Sequence, residues 1–244
     1  KKGGRMFRSF KKALFLGLLI TKAALPTHQA SLSSLEAVVD TYISKKHLAA
    51  PKANIPSGCI LLATQDSNLD DELRNTMSLV LGRKKAQSVK IYISPTTYYD
   101  ASPAYTQGDS IFLTNRFFSS RNQLWIILHE AGHLEHNHQT KKAIALSISK
   151  NMSREAARFS PQSPEYELLI ALANEPTSAF DLLVEQALSH EKEADLEAFA
   201  AMKAMGVPIP TGKFNTLGNM AFSREMKYRN LFEDEYSLPK YALT

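Results

Sequence analysis

Apolar residues recur at helical spacing along much of the chain, whereas they alternate with polar residues over only a few short stretches. Val89–Ser94 alternates and predicts a strand with one buried face, and Ser110–Thr114 predicts a second strand. Helices are predicted where apolar residues return every three or four positions. These segments are Ser31–His47, Asn68–Leu81, the stretch after Ser120, Lys141–Phe159, a segment beginning at Pro164, and Ser178 to Met205. A small sheet followed by helices predicts an α+β fold that is mostly helical.

The helix after Ser120 contains the H-E-x-x-H motif His129-Glu130-Ala131-Gly132-His133. Because residues four apart lie on the same face of a helix, His129 and His133 can bind one metal ion. Glu130 lies one step round the helix, where it can act on a metal-bound water without ligating the metal. An S-x-x-Q capping box beginning at Ser120 supports the helix. Gly132 lowers helix stability, which predicts that another segment packs closely against that turn.

A third ligand is expected on the last long helix, within the run Ser189-His190-Glu191-Lys192-Glu193-Ala194-Asp195. Glu191 and Asp195 lie one turn apart, so Glu191 can ligate the metal while Asp195 accepts a hydrogen bond from a ligand histidine. Glu193 and Glu197 have the same spacing, and either pair also fits a solvated acidic face. The apolar neighbours favour the first pair, because a catalytic metal must lie against the buried side. These neighbours are Leu188, Ala194, Ala198 and Phe199. Glu193 is then expected on the opposite face, with little effect on the metal.

Composition restricts the chemistry further. The single Cys59 excludes an intrachain disulfide framework and a Cys-rich zinc site, so zinc would need His and carboxylate ligands. The length of 244 residues and the mean hydropathy of −0.23 indicate a globular protein with a substantial core. Residues 1–30 hold seven Lys and Arg and no acidic residue, so the net charge of +5 falls to −2 without them. The remaining chain gives no support for binding nucleic acid.

Residues 1–30 have the layout of a secretory signal peptide. A basic region precedes the apolar run Ala13–Ile20, and small and polar residues follow it. The run is too short for a membrane anchor, and no later stretch reaches transmembrane length. We expect a periplasmic or secreted protein whose mature chain begins between Ala23 and Ser31, with residues 31–244 forming one domain. A mitochondrial presequence, which is also basic and free of acidic residues, is the alternative.

The paired motifs H-E-x-x-H and E-x-x-x-D, the latter within H-E-K-E-A-D, resemble the zinc metallopeptidases that include the CAAX prenyl protease type and the bacterial proteins HtpX and BepA. Ala104–Thr114 resembles the edge-strand segment of that family, and His138 falls where many members carry a histidine. The resemblance implies a zincin-like metallopeptidase domain in which an exposed edge strand aligns the substrate. The residues assigned to that strand are Gly108, Ser110, Ile111, Phe112 and Leu113. Arg224 and Tyr228 are positional candidates for stabilising the transition state.

Motif and resemblance together predict a zinc-dependent endopeptidase. The two motif histidines and Glu191 would hold Zn²⁺, and Glu130 would activate the zinc-bound water. The expected substrates are unfolded or misassembled proteins, as in protein quality control, and a membrane-proximal protein is a further candidate partner. One alternative is a zinc-loaded chaperone-like or binding protein with a covered site. Another is a structural zinc site, which needs a fourth protein ligand. The candidates for that ligand are His136, His138 and His190.

Overall fold

The computed structural model describes residues 31–44, 54–95 and 102–208, which form mainly helices and one small sheet. The helices are α1 (Leu32–Ser44), α2 (Ser67–Leu81), α3 (Arg83–Ser88), α4 (Asn115–Ser119), α5 (Gln123–Glu135), α6 (His138–Ser149), α7 (Met152–Ala156), α8 (Pro164–Asn174) and α9 (Pro176–Ala204), with a 3-10 turn at Leu62–Thr64. The strands are β1 (Ile60–Leu61), β2 (Lys90–Ile93), β3 (Ala104–Gln107) and β4 (Ser110–Leu113). This mostly helical arrangement with a small sheet is compatible with the predicted α+β class. The predicted signal segment 1–30, Arg224 and Tyr228 lie outside the described residues.

Local sequence explains the start of two helices and the end of one. The side chain of Asp66 caps α2 by accepting a hydrogen bond from the Leu69 amide at 2.9 Å, and α2 ends at Gly82 with φ of 72°. Ser163 caps α8 as predicted, accepting from the Tyr166 amide at 3.2 Å. The predicted helix Lys141–Phe159 is instead divided between α6 and α7.

The metal-motif helix begins later than its sequence predicts. The N-cap of α5 is Asn122, and the Ser120 hydroxyl accepts a hydrogen bond from the Asn122 amide at 3.1 Å. The Gln123 side chain donates to the carbonyl oxygens of Phe117 and Phe118 rather than reaching back to Ser120. The predicted S-x-x-Q capping box is therefore wrong. Helix α4 ends just before α5, and the side-chain amide of Gln123 donates to carbonyl oxygens of α4 instead of bonding back to Ser120.

The strand predicted to lie at the sheet edge lies inside the sheet. The strand order is β1-β2-β4-β3, with β4 parallel to β2 and antiparallel to β3. Gly108, with φ of 61°, belongs to the tight turn that folds β3 back onto β4. The predicted edge role of Ser110–Thr114 is wrong, because both sides of β4 are hydrogen-bonded within the sheet. Among the described residues β3 forms one edge, next to β4.

Two apolar cores flank the middle of α9. One lies among the sheet, α2, α5 and the C-terminal part of α9. The other lies among α1, α6, α7, α8 and the N-terminal part of α9. Helix α9 contributes Phe180 and Leu183 to the second core, and Ala198 and Met202 to the first. Its polar segment 190–195 therefore falls between the two cores, where α5 and α6 contact it. Among the described helices, none combines the length and apolar character that a membrane span requires.

Candidate metal centre

Close packing of α5 on α9 brings the histidine motif to the acidic residues. A Cβ atom at Gly132 would lie 2.9 Å from Ala194 Cα and 3.2 Å from its carbonyl oxygen. Such distances leave no room for a side chain, which confirms the prediction that another segment packs against this turn. The absence of a side chain at Gly132 thus allows the two backbones to approach each other beside the motif.

Three side chains converge where these helices meet. Nε2 of His129 lies 3.1 Å from Nε2 of His133. The Glu191 carboxylate lies 3.5 Å from the first of these nitrogens and 3.6 Å from the second. Tetrahedral zinc with bonds of about 2.1 Å separates its ligands by about 3.4 Å, so the three donors fit such an ion. Within the part of the chain that the structure describes, no other group of His, Cys, Asp and Glu meets the spacing of a metal site.

Asp195 supports the first histidine ligand. Nδ1 of His129 donates a hydrogen bond to Asp195 Oδ1 at 2.8 Å, which leaves Nε2 facing His133 and Glu191. This is the placement that the sequence predicts for Glu191 and Asp195. Burial lowers the pKa of His129, but the hydrogen bonds to Asp195 and Glu191 outweigh this effect and raise the pKa to about 9.

A second chain of contacts leads away from His133. Its Nδ1 lies 2.9 Å from Nδ1 of His138, and Nε2 of His138 lies 2.9 Å from Glu193 Oε2. Burial, and then the nearby His129, lower the pKa of His133, and burial lowers the pKa of His138 to about 4. The expectation that Glu193 lies apart from the site is wrong. The helical pattern of α9 could not predict this contact, because His138 belongs to another helix, α6, that packs against the Glu193 side of α9.

Glu130 is buried beside the ligand set. Glu130 is 7% exposed. Its negative charge is one of the effects that raise the pKa of His129. When ionised, a carboxylate accepts hydrogen bonds and can take a proton. Glu130 is therefore a buried carboxylate beside His129, with the chemistry of a base.

None of the three candidate fourth ligands belongs to the donor group. His136 Nε2 contacts Glu197 at 3.3 Å. His190 stacks on His138 at 4.2 Å between ring centroids, and its Nε2 lies 3.6 Å from Glu36 Oε1. The nitrogens of His138 face His133 Nδ1 and Glu193. Among the described residues, the group therefore offers three candidate protein ligands and no fourth.

The predicted substrate-binding residues do not form an exposed edge. Gly108 lies in the β3–β4 turn, and Ser110, Ile111, Phe112 and Leu113 are buried in the central strand β4. The strand that packs against α5 is the edge strand β3. In β3, whose sequence is Ala-Tyr-Thr-Gln, apolar and polar residues do not alternate clearly. The sequence pattern alone therefore did not predict a strand there.

Neither a comparison with protein-family models nor one with curated proteins finds a match for this chain. The resemblance to zinc metallopeptidases therefore rests on the paired motifs. The donor geometry is a separate observation, because it depends on the folded arrangement of α5 and α9.

Proposed function

We propose that this protein is a zincin-like, zinc-dependent endopeptidase. The observation that carries the proposal is the convergence of three donor atoms, from His129, His133 and Glu191, at separations of 3.1–3.6 Å. Two imidazoles and one carboxylate form a donor set typical of catalytic zinc. Zinc bound there would supply a Lewis acid that polarises a peptide carbonyl and lowers the pKa of water.

Glu130 is proposed as the general base and then the general acid. Its carboxylate takes a proton from the attacking water, whose oxygen forms a bond to the carbonyl carbon. When the C–N bond breaks, Glu130 gives that proton to the leaving nitrogen, so one water is added across the peptide bond. Burial beside His129 supports this role, because a fixed carboxylate needs little reorganisation.

The number of ligands favours a catalytic over a structural metal. Structural zinc sites are closed by four protein ligands, whereas catalytic sites keep one position open. The three-residue group among the described residues matches the open type. The presence of Glu130 agrees with this, since a structural site has no use for a base.

The outer edge of β3 is proposed to align an extended substrate. The Thr114 amide donates to the Pro103 carbonyl, and the ladder to β4 continues through Gln107 and Ser110. In an antiparallel pair alternate residues bond to the neighbouring strand, so Thr106 directs its N–H and C=O groups away from β4. The Ala104 N–H also points away from β4, whereas the Ala104 carbonyl accepts a hydrogen bond from the Ser102 hydroxyl. Pairing through the backbone tolerates varied side chains, which suits unfolded or misassembled protein substrates.

Cleavage of an unstructured protein tests the proposal. Full-length protein loaded with zinc is incubated with casein, and the products are identified by mass spectrometry with and without a chelator. We expect cleavage that stops on chelation and returns when zinc is restored. Cleavage that survives complete zinc removal would contradict the proposal, and zinc binding without any cleavage would favour the chaperone-like alternative.

A further inference from the structure

The two histidines of the proposed zinc site are supported in different ways. His129 contacts an acidic residue of α9 directly, through Asp195 at 2.8 Å. Within the described part of the chain, His133 contacts no carboxylate through Nδ1, but it reaches Glu193 of α9 through His138, with two contacts of 2.9 Å. The ring nitrogen that faces away from the ligand group is therefore linked to a carboxylate of α9 in both histidines, Asp195 for His129 and Glu193 for His133.

The chemistry of this chain fixes where its protons lie. The Glu193 carboxylate can only accept, so Nε2 of His138 must donate to it. In a neutral imidazole the other nitrogen is then an acceptor, so Nδ1 of His138 accepts a hydrogen bond from Nδ1 of His133. That arrangement leaves Nε2 of His133 without a proton, facing His129 and Glu191.

We infer that Glu193 and His138 are positioning residues that set the tautomer of His133 and orient its Nε2 toward the metal. This inference rests on the proposed zinc site and extends it to the residues that prepare the second histidine ligand. Metal-ligating histidines commonly donate their other ring N–H to an acceptor, which fixes the ring and raises its basicity. Here a histidine relays that effect from a carboxylate.

The surroundings of His138 keep it in place for this role. It is 2% exposed, and its ring stacks on His190 with an interplanar angle of 10°. Asn137, with φ of 54°, forms the turn between α5 and α6 that returns His138 to the metal-motif helix. A buried, stacked imidazole has little rotational freedom, so its nitrogens stay aligned with His133 and Glu193.

Glu197 offers a matched control for Glu193. The two glutamates lie one turn apart on α9, with side chains 39% and 47% exposed, respectively. Each contacts a histidine, His138 for Glu193 and His136 for Glu197. Among the described residues His136 has no hydrogen bond to the ligand group, although it stacks on His138 and lies 3.9 Å from Glu193. Changing either glutamate to methionine removes the same charge and the same acceptor oxygens, and only the change at Glu193 removes a hydrogen bond of the chain to His133.

The first measurement is zinc affinity at fixed pH, by competition with a chromophoric chelator. We expect Glu193→Met to bind zinc about ten- to a hundredfold more weakly, as loss of an outer hydrogen-bond partner does. Glu197→Met is expected to keep the wild-type affinity. Equal affinities in Glu193→Met and wild type, or equal losses in the two variants, would overturn the inference. If wild-type protein bound no zinc at all, the proposed function would fail and the inference with it.

The second measurement reads the tautomers directly. In zinc-loaded protein labelled with ¹⁵N histidine, NMR shifts of the ring nitrogens show which one carries the proton. We expect His138 protonated on Nε2 and His133 on Nδ1, with this pattern disturbed in Glu193→Met and retained in Glu197→Met. A wild-type His138 protonated on Nδ1 would overturn the inference even if zinc binds tightly.

Discussion

Gly132 of α5 lies so close to Ala194 of α9 that a Cβ atom on the glycine would be 2.9 Å from the alanine Cα. Replacing glycine by alanine inside a helix ordinarily stabilises it by about 1 kcal/mol. Here the added methyl meets backbone atoms, which move only if α9 moves. We predict that Gly132→Ala lowers the free energy of unfolding by about 1–3 kcal/mol, measured by denaturant titration. A gain in stability would show that the helices do not approach this closely.

A control for this variant follows from the identity of the contacting atoms. The two nearest are the Cα and carbonyl oxygen of Ala194 rather than its side chain. Adding Ala194→Gly to Gly132→Ala should therefore fail to restore stability. Full recovery in the double variant would place the conflict at the Ala194 methyl group instead.

Metal removal should weaken the fold. An ion that binds only the folded state stabilises it by about 2.7 kcal/mol when supplied at a hundred times its Kd. We therefore predict that a chelator lowers the Tm of the zinc-loaded protein, measured by calorimetry. The His129→Ala variant lacks one ligand, so its Tm should barely respond to the chelator. An identical Tm for wild type with and without chelator would argue against a specific site.

Glu191 is predicted to be the third ligand. Its two carboxylate oxygens lie 3.5 and 3.6 Å from the Nε2 atoms of the motif histidines. Glu191→Gln should therefore lose bound zinc on dialysis, as measured by elemental analysis. Glu197→Gln makes the same change six residues further along α9. This variant should retain zinc, because the Glu197 carboxylate contacts His136. Full zinc retention in Glu191→Gln would exclude this residue as a ligand.

The edge strand gives a test of substrate alignment. Thr106→Pro removes an amide that faces away from β4, a position where proline is compatible with an edge strand. Loss of one hydrogen bond worth about 0.5–1.5 kcal/mol should lower kcat/KM for casein peptides by about two- to twelvefold. Thr106→Val is the control, because it keeps the amide and loses only a hydroxyl that has no hydrogen-bond partner among the described residues. Equal kcat/KM values in the two variants would remove β3 from substrate binding.

The convergence of His129, His133 and Glu191 was predictable because it depends mainly on helical geometry. His129 and His133 share one helix, so their four-residue spacing determines that they lie on one face. Glu191 was distinguished from Glu193 by the apolar residues around it, which reflect the side of α9 that is buried. In both cases a local pattern contains the information.

The sheet order and the His138 relay could not be predicted in this way. Whether β4 is an edge or a central strand depends on which strands pair with it, and the pattern of Ser110–Leu113 is the same in either position. Likewise, the contact between His138 and Glu193 depends on the left-handed turn at Asn137, which joins residues from different helices. Such relationships arise from tertiary packing rather than from the spacing of residues along one element.

The most direct test of the proposed mechanism compares wild type with Glu130→Gln for zinc content and casein cleavage in the same preparations. The substitution leaves the three donors His129, His133 and Glu191 intact and removes the proposed base. We predict that Glu130→Gln retains the zinc content of wild type while its cleavage rate falls at least about a hundredfold. Cleavage at the wild-type rate by zinc-loaded Glu130→Gln would contradict the mechanism.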